Sequence, residues 1–281
     1  MIIINHNNTN PRHAGIAFVR RKTYTGLMIR KIINKIGSKT KQALFRWRNR
    51  ISFQKNPALK EVYAVLKNSP EGKWIIGQND ALELYYLIKQ FNPKNILELG
   101  SGIGASTAIM ALAQSTDGKV VSMEQFEKCV NIARRLIPQN LLPKINLIHS
   151  PAEAWKDERF SRYVYFSIYK NLPVHLGPFD FVLVDGPDYW LENGQLVNLP
   201  NGDLLKLMPH LKPGCKIYVD GRKQAVALYK RFLGNYITPL RENSAYALFE
   251  RNNKPLDDFK NFEIKDTTLE WVKKTSYFEG Q

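Results

Sequence analysis

The chain has 281 residues, 44% of them hydrophobic, and a formal net charge of +16. That is enough apolar content for one large or two small folded domains, and no apolar run approaches the roughly 18 residues that a bilayer-spanning helix needs. Two distant cysteines, Cys129 and Cys215, with no CxxC pair, exclude a disulfide scaffold and point to a reducing compartment.

The charge is uneven. Residues 1–60 hold seven Lys, seven Arg and no Asp or Glu, which gives +14 and leaves +2 for residues 61–281. The opening MIII breaks at Asn5, short of a signal-peptide core, so a cytoplasmic protein is expected. Residues 1–22 read as loose. From Thr25 to Ile36 the apolar positions 29, 32, 33 and 36 mark one helix face. Gly37 ends it, and Thr40 can cap a second basic helix carrying Leu44, Trp47 and Ile51. Residues 1–60 are thus expected to be a basic helical extension and 61–281 the main domain.

Helical patterns follow near Leu59–Leu66 and over Asp80–Phe91, separated by the turn signal NSPEG. The chain then alternates. Strands are expected at 94–100, 119–125, 145–150, 179–186, 215–221 and 245–253, the last antiparallel to its neighbour across a turn near Asn243. Helices are expected from Ala105, over 126–137, near Gly202–Leu211 and over 224–233. Short apolar strands alternating with amphipathic helices predict an α/β, doubly wound, mostly parallel sheet of seven strands with helices on both faces. Ligands in such sheets sit beyond the carboxyl ends of the strands.

The stretch NILELGSGIGAST, residues 95–107, is one of those ends. Gly100, Gly102 and Gly104 let the backbone turn tightly and approach a ligand, and the helix that follows aims free N–H groups there. Gly100-x-Gly102-x-x-Ala105 fits the relaxed dinucleotide fingerprint. Glu98-x-Gly100-x-Gly102-x-Gly104 instead resembles the first motif of class I S-adenosylmethionine (SAM)-dependent methyltransferases. Glu124 ends the second strand, HSPAEAW follows the third, FDFVLVDGP resembles that family's fourth-strand motif, and LKPGCKIYVDG its Lys-Pro-Gly turn before the fifth. The likeness covers about residues 75–252 and is nearest the bacterial small-molecule or O-methyltransferase-like group. The N/D-P-P-[YF] signature of amino-methylating enzymes is missing.

This resemblance implies a Rossmann-like fold with SAM as cofactor. It implies that Glu98, Gly100, Ser101, Gly102, Gly104, Glu124, Gln125, Ala152, Glu153 and Asp185 hold that cofactor. Glu98 would orient the cationic amino-acid end, Glu124 the ribose, and Gln125, Ala152 and Glu153 the adenine. Candidates for deprotonating the acceptor are Asp185, Asp188 and His149. Catechol-type members use an Asp after strand four and an Asp-Asn pair after strand five. Asp185 and Asp220 stand in comparable places, but Gly221 replaces the Asn, and no metal is expected. Asp220 and Arg222 are read as shaping the acceptor pocket.

Two segments, 155–177 and 188–203, carry aromatics that suit a lid, or for the first equally a helix covering the sheet. The acceptor is read as a small molecule or surface-glycan precursor. For residues 1–60 the readings are helices packed on the domain or on a second subunit, an anionic membrane surface, and behind these nucleic acid or an organelle transit peptide. Rival readings are an NAD-dependent oxidoreductase, a non-catalytic SAM-fold module and an RNA methyltransferase.

Overall fold

The short apolar runs of the sequence become strands because amphipathic segments on either side hide both of their faces. The computed structural model describes residues 52–157, 165–191, 193–197 and 199–256. The two helices expected between residues 25 and 51 lie outside them. In chain order the described elements are α1 (Pro57–Lys67), α2 (Gln78–Phe91), β1 (Asn95–Leu99), α3 (Ala105–Ala113), β2 (Lys119–Glu124), α4 (Glu127–Leu136) and β3 (Ile145–His149). They continue as β4 (Ala152–Lys156), β5 (Tyr165–Tyr169), β6 (Phe179–Val184), β7 (Tyr189–Trp190) and β8 (Leu196–Val197). The last are α5 (Asp203–Leu207), β9 (Leu211–Asp220), α6 (Lys223–Phe232), β10 (Ile237–Glu242) and β11 (Tyr246–Arg251). Among the described residues no helix is long and apolar enough to cross a membrane.

The main sheet has seven strands in the order β10-β11-β9-β6-β1-β2-β3. β3, β2, β1, β6 and β9 are mutually parallel, and β11 runs against both of its neighbours. The strand order reverses between β1 and β6, and that switch point is where an open α/β sheet forms its crevice.

Period-two alternation sorts the core. Ile96, Val120, Phe181, Leu183 and Tyr218 face α1, α2 and α3, while Leu97, Val121, Val182, Ile217 and Val219 face α5 and α6. α1 buries Leu59, Val62 and Leu66, with Pro57 pre-setting its first turn. α2 carries Asp80 in its first turn, favourable to the helix dipole, and stops at Asn92 in the left-handed region. α3 is built of small residues, so it lies close on the sheet with seven of its positions buried.

Three details depart from the sequence expectations. The helix expected near Gly202–Leu211 is α only to Leu207 and ends in a 3₁₀ turn, because Pro209 restricts the residue before it and removes a donor. The Lys-Pro-Gly turn lies inside β9 as an irregularity, where the register with β6 shifts and Gly214 takes φ +82°. The segment after β3 forms an antiparallel hairpin, β4 with β5, and it is this hairpin that covers the sheet there. Phe166 and Ile168 of β5 are fully buried in the core on that face. At the far side β10 is exposed along all but its first residue, and its pairing with β11 shifts between Pro239 and Arg241.

Candidate active site at the carboxyl edge of the sheet

The glycine turn after β1 is packed back to back with the turn after β6. The Asp185 N–H donates to the Leu99 carbonyl (2.7 Å). Gly100 takes φ +100°, and a Cβ there would stand 2.7 Å from the Asp185 backbone carbonyl. Gly102 (φ +51°) faces open space, whereas a Cβ on Gly104 would press on Ala133 and Ile137 of the α4 region. The three glycines therefore do three jobs: contact with the neighbouring turn, an open face, and helix packing. Ser101 donates its N–H to the Met123 carbonyl (2.9 Å) and holds the turn on β2.

Strand alternation sends Glu98 under α3. It is fully buried, and its Oε2 accepts from the Thr107 and Ser122 hydroxyls (2.5 Å each), while Oε1 has no hydrogen-bond partner. Burial raises its pKa, and the Ser106, Ser122 and Thr107 hydroxyls oppose the rise. Glu98 thus props the glycine turn from beneath and does not line the cleft.

Glu124 does line it. Oε2 accepts from the Gly102 N–H (2.8 Å) and Oε1 from the Phe126 N–H (3.0 Å). Burial raises its pKa and these N–H groups pull it back. The Gln125 amide oxygen accepts from the Asp188 N–H (2.8 Å), which ties the end of β2 to the loop after β6. His149 pairs in register with Glu124 but is exposed, with Nε2 3.1 Å from the Gln125 carbonyl. His149 is not in the cleft wall, and neither are Ala152 and Glu153. The last two belong to the hairpin strand β4 because Pro151 is followed at once by a paired strand and no loop.

The cleft has two lobes that share Gly100, Gly102 and Asp185. The smaller, about 60 Å³, adds Ile76, Ser106, Tyr218 and Asp220. The larger, about 540 Å³, adds Glu124, Phe126, Trp190, Asp188 and Arg222. Asp185 and Asp220 end adjacent parallel strands, one residue beyond the Val184–Val219 pair. Asp185 keeps 47% of its side-chain surface open at the cleft floor. Desolvation by the protein packed around the cleft floor nevertheless pushes its pKa up to about 7, with Arg222 opposing and Asp220 adding to the rise. Burial and Asp80 push Asp220 to about 6. Arg222 donates from Nη1 to Asp188 Oδ1 (2.8 Å) and from Nη2 to the Asp185 carbonyl, and its Nε lies 3.5 Å from Asp185 Oδ1. Burial works against its charge, and the two aspartates more than offset that.

Sequence reasoning missed the support behind this loop. Asn201 donates to the Gly186 carbonyl and to Asp203 Oδ2 (2.9 Å), and it accepts from the Tyr229 hydroxyl (2.7 Å). Asp203 Oδ1 accepts from the Tyr169 N–H (2.9 Å). The only local signal was Asn201-x-Asp203 ahead of a helix. Asp203 is fully buried, and desolvation raises its pKa to about 7, against an ordinary 3.8. Between those values the unfolded chain holds fewer protons than the folded one, so this group makes stability fall as pH rises from about 4 to 7 and contributes no further slope above. Urea unfolding at pH 5 and pH 8 should show the difference between the two shrinking in Asp203→Asn, by on the order of 2 kcal/mol. An unchanged difference would mean that Asp203 is ionised throughout.

A family model described as O-methyltransferase matches residues 49–190, about half of the chain. A caffeoyl-CoA O-methyltransferase of Pinus taeda is 30% identical over 128 residues, 45% of this chain and 46% of that protein. The chain therefore spans about half the length of the curated relative it matches. The crystal structure of an SAH-bound methyltransferase of Podospora anserina superposes with a TM-score of 0.53 at 15% identity, covering 78% of this chain and 97% of that one. This last likeness speaks to the fold.

Proposed function

Because the chain belongs to the O-methyltransferase family, we propose that it transfers a methyl group from SAM to an oxygen of a small molecule. One observation carries this reading: a glycine cradle and a wall of carboxylates meet at the switch point of the sheet. Glu124, Asp185 and Asp188 all face the larger lobe. Among the described residues Arg222 is the one cation lining that lobe against these three carboxylates, so the balance favours a positively charged ligand over the pyrophosphate of a dinucleotide. The name of the Pinus taeda relative supports a small-molecule acceptor.

The residues present fit this cofactor. Glu124 has acceptor capacity left for ribose hydroxyls after its two N–H bonds, since a carboxylate offers about four lone-pair sites. Phe126, 48% exposed, offers a face for a flat base. The amino-acid end suits the smaller lobe, where Ser106 and Asp185 stand beside the buried, unpartnered hydroxyl of Tyr218. When bound, SAM supplies a methyl carbon activated by its positively charged sulfur, which takes back the C–S electron pair as the acceptor oxygen forms the new bond. Asp185, at about 7, is poised near neutral pH to take the acceptor proton. Trp190, 43% exposed, can pack on the acceptor and exclude water.

Calorimetric titration with S-adenosylhomocysteine (SAH) and with NADH tests the reading. Micromolar SAH binding without NADH binding is expected, and the reverse would replace it with a dinucleotide enzyme. A glycan-precursor acceptor at an anionic membrane rests on the +14 of residues 1–60 together with the aromatic residues of segments 155–177 and 188–203. Co-sedimentation with phosphatidylglycerol vesicles that persisted after deletion of residues 1–51 would remove that part of the proposal.

A further inference from the structure

Resting on the methyl-transfer reading, we propose that Arg222 holds the place of a divalent cation and supplies the positive charge at the acceptor oxygen. The ends of β6 and β9 set two carboxylates side by side, Asp185 and Asp220. Oxygen pairs of this kind suit magnesium or calcium, which also demand several further oxygen donors. The next residue denies one. Gly221 has no side chain and takes φ +56°. Among the described residues no group of three or more His, Cys, Asp or Glu is arranged to hold a metal ion. The match to the family model ends at residue 190, ahead of β9, so this half of the site lies outside the matched region.

Arg222 fills the electrostatic role instead. Its guanidinium reaches both the Asp185 backbone carbonyl and the Asp188 carboxylate, with Nε near the Asp185 carboxylate. A dication seated on Asp185 and Asp220 would stand against a fixed positive charge that already lies beside the Asp185 carboxylate. Arg222 also lines the larger lobe, and only two of the five guanidinium N–H groups are committed to hydrogen bonds. In the transfer, the acceptor O–H bond breaks and its proton passes to the Asp185 carboxylate. The oxygen electron pair forms the bond to the methyl carbon, and the C–S pair returns to sulfur. Negative charge grows on the acceptor oxygen during the proton loss, and a guanidinium N–H is the group placed to meet it.

The test is manganese(II) titration of the full chain followed by electron paramagnetic resonance, with SAH binding measured in parallel by calorimetry. The wild-type chain should leave manganese free up to millimolar concentration. Arg222→Gln, which keeps Asp185, Asp188 and Asp220 and removes the cation, should bind manganese at least about tenfold more tightly. Gly221→Asn in the Arg222→Gln background should tighten it again, since Asn tolerates the left-handed backbone and adds an oxygen donor. Tight manganese binding by the wild-type chain would overturn the proposal. So would an Arg222→Gln protein that still binds SAH yet gains no affinity for manganese. Loss of SAH binding in the wild-type chain would instead overturn the methyl-transfer reading, whatever manganese does.

Discussion

Replacing Glu124 by alanine should reduce SAH affinity by about a hundredfold or more, equivalent to roughly 2.7 kcal/mol. The carboxylate does two things at once. It anchors the Gly102 and Phe126 N–H groups, and in the proposed site it is the acceptor left over for a ribose. Hydrogen bonds to a charged group are worth about 1.5–3 kcal/mol each, and unmaking them also frees the turn that the ligand needs fixed. Glu124→Gln keeps the length and one acceptor oxygen but turns an N–H₂ toward one backbone donor, so a loss nearer tenfold is expected. Calorimetry on the three proteins reads this directly. An alanine variant that binds SAH within threefold of wild type would remove Glu124 from the cofactor site.

The second large effect is on the fold. Gly100→Ala should destabilise the protein by about 3 kcal/mol or more, because the backbone angle is unfavourable for an L-residue and the new Cβ meets main chain that cannot swing aside. At about 2–4 °C per kcal/mol for a unit of this size, the melting temperature should drop by roughly 10 °C. Gly102→Ala shares the positive φ but meets nothing within 4 Å, so only the strain of about 1–2 kcal/mol remains. Gly104→Ala should fall between, since the Ile137 side chain can yield whereas the Ala133 Cβ, 2.9 Å away, cannot swing aside. Thermal melts of the three variants give the ranking. If Gly102→Ala proved the most damaging, the back-to-back contact of the two turns would not be what Gly100 serves.

The sheet was legible because its strands are short apolar runs bounded by Gly, Pro and Asn, and because β1, β2, β6 and β9 are buried on both faces. The hairpin was not. Tyr165–Tyr169 is also buried on both faces, so it has no alternation to separate it from a covering helix. Glu98 was legible as a carboxylate beside a glycine turn but not in its direction. The cue lay in period two: Ile96 faces the helices, so Glu98 does too, and it meets Thr107 and Ser122. Asp185 and Glu124 were readable because a strand end fixes both their place and their facing. Arg222's grip on the loop after β6 and the Asn201 support of Gly186 depend on contacts more than 10 residues apart, which local pattern does not encode.

The outer strand β10 bears on how copies of the chain can meet. A strand at the border of a sheet offers unpaired N–H and C=O groups as a template for another molecule. Here that border carries Pro239, an irregular pairing beside it, and the charges of Arg241 and Glu242. Proline cannot donate and charges resist stacking, so the sheet is closed to extension on that side. Among the described residues, β10 is therefore guarded against edge-to-edge pairing with another copy.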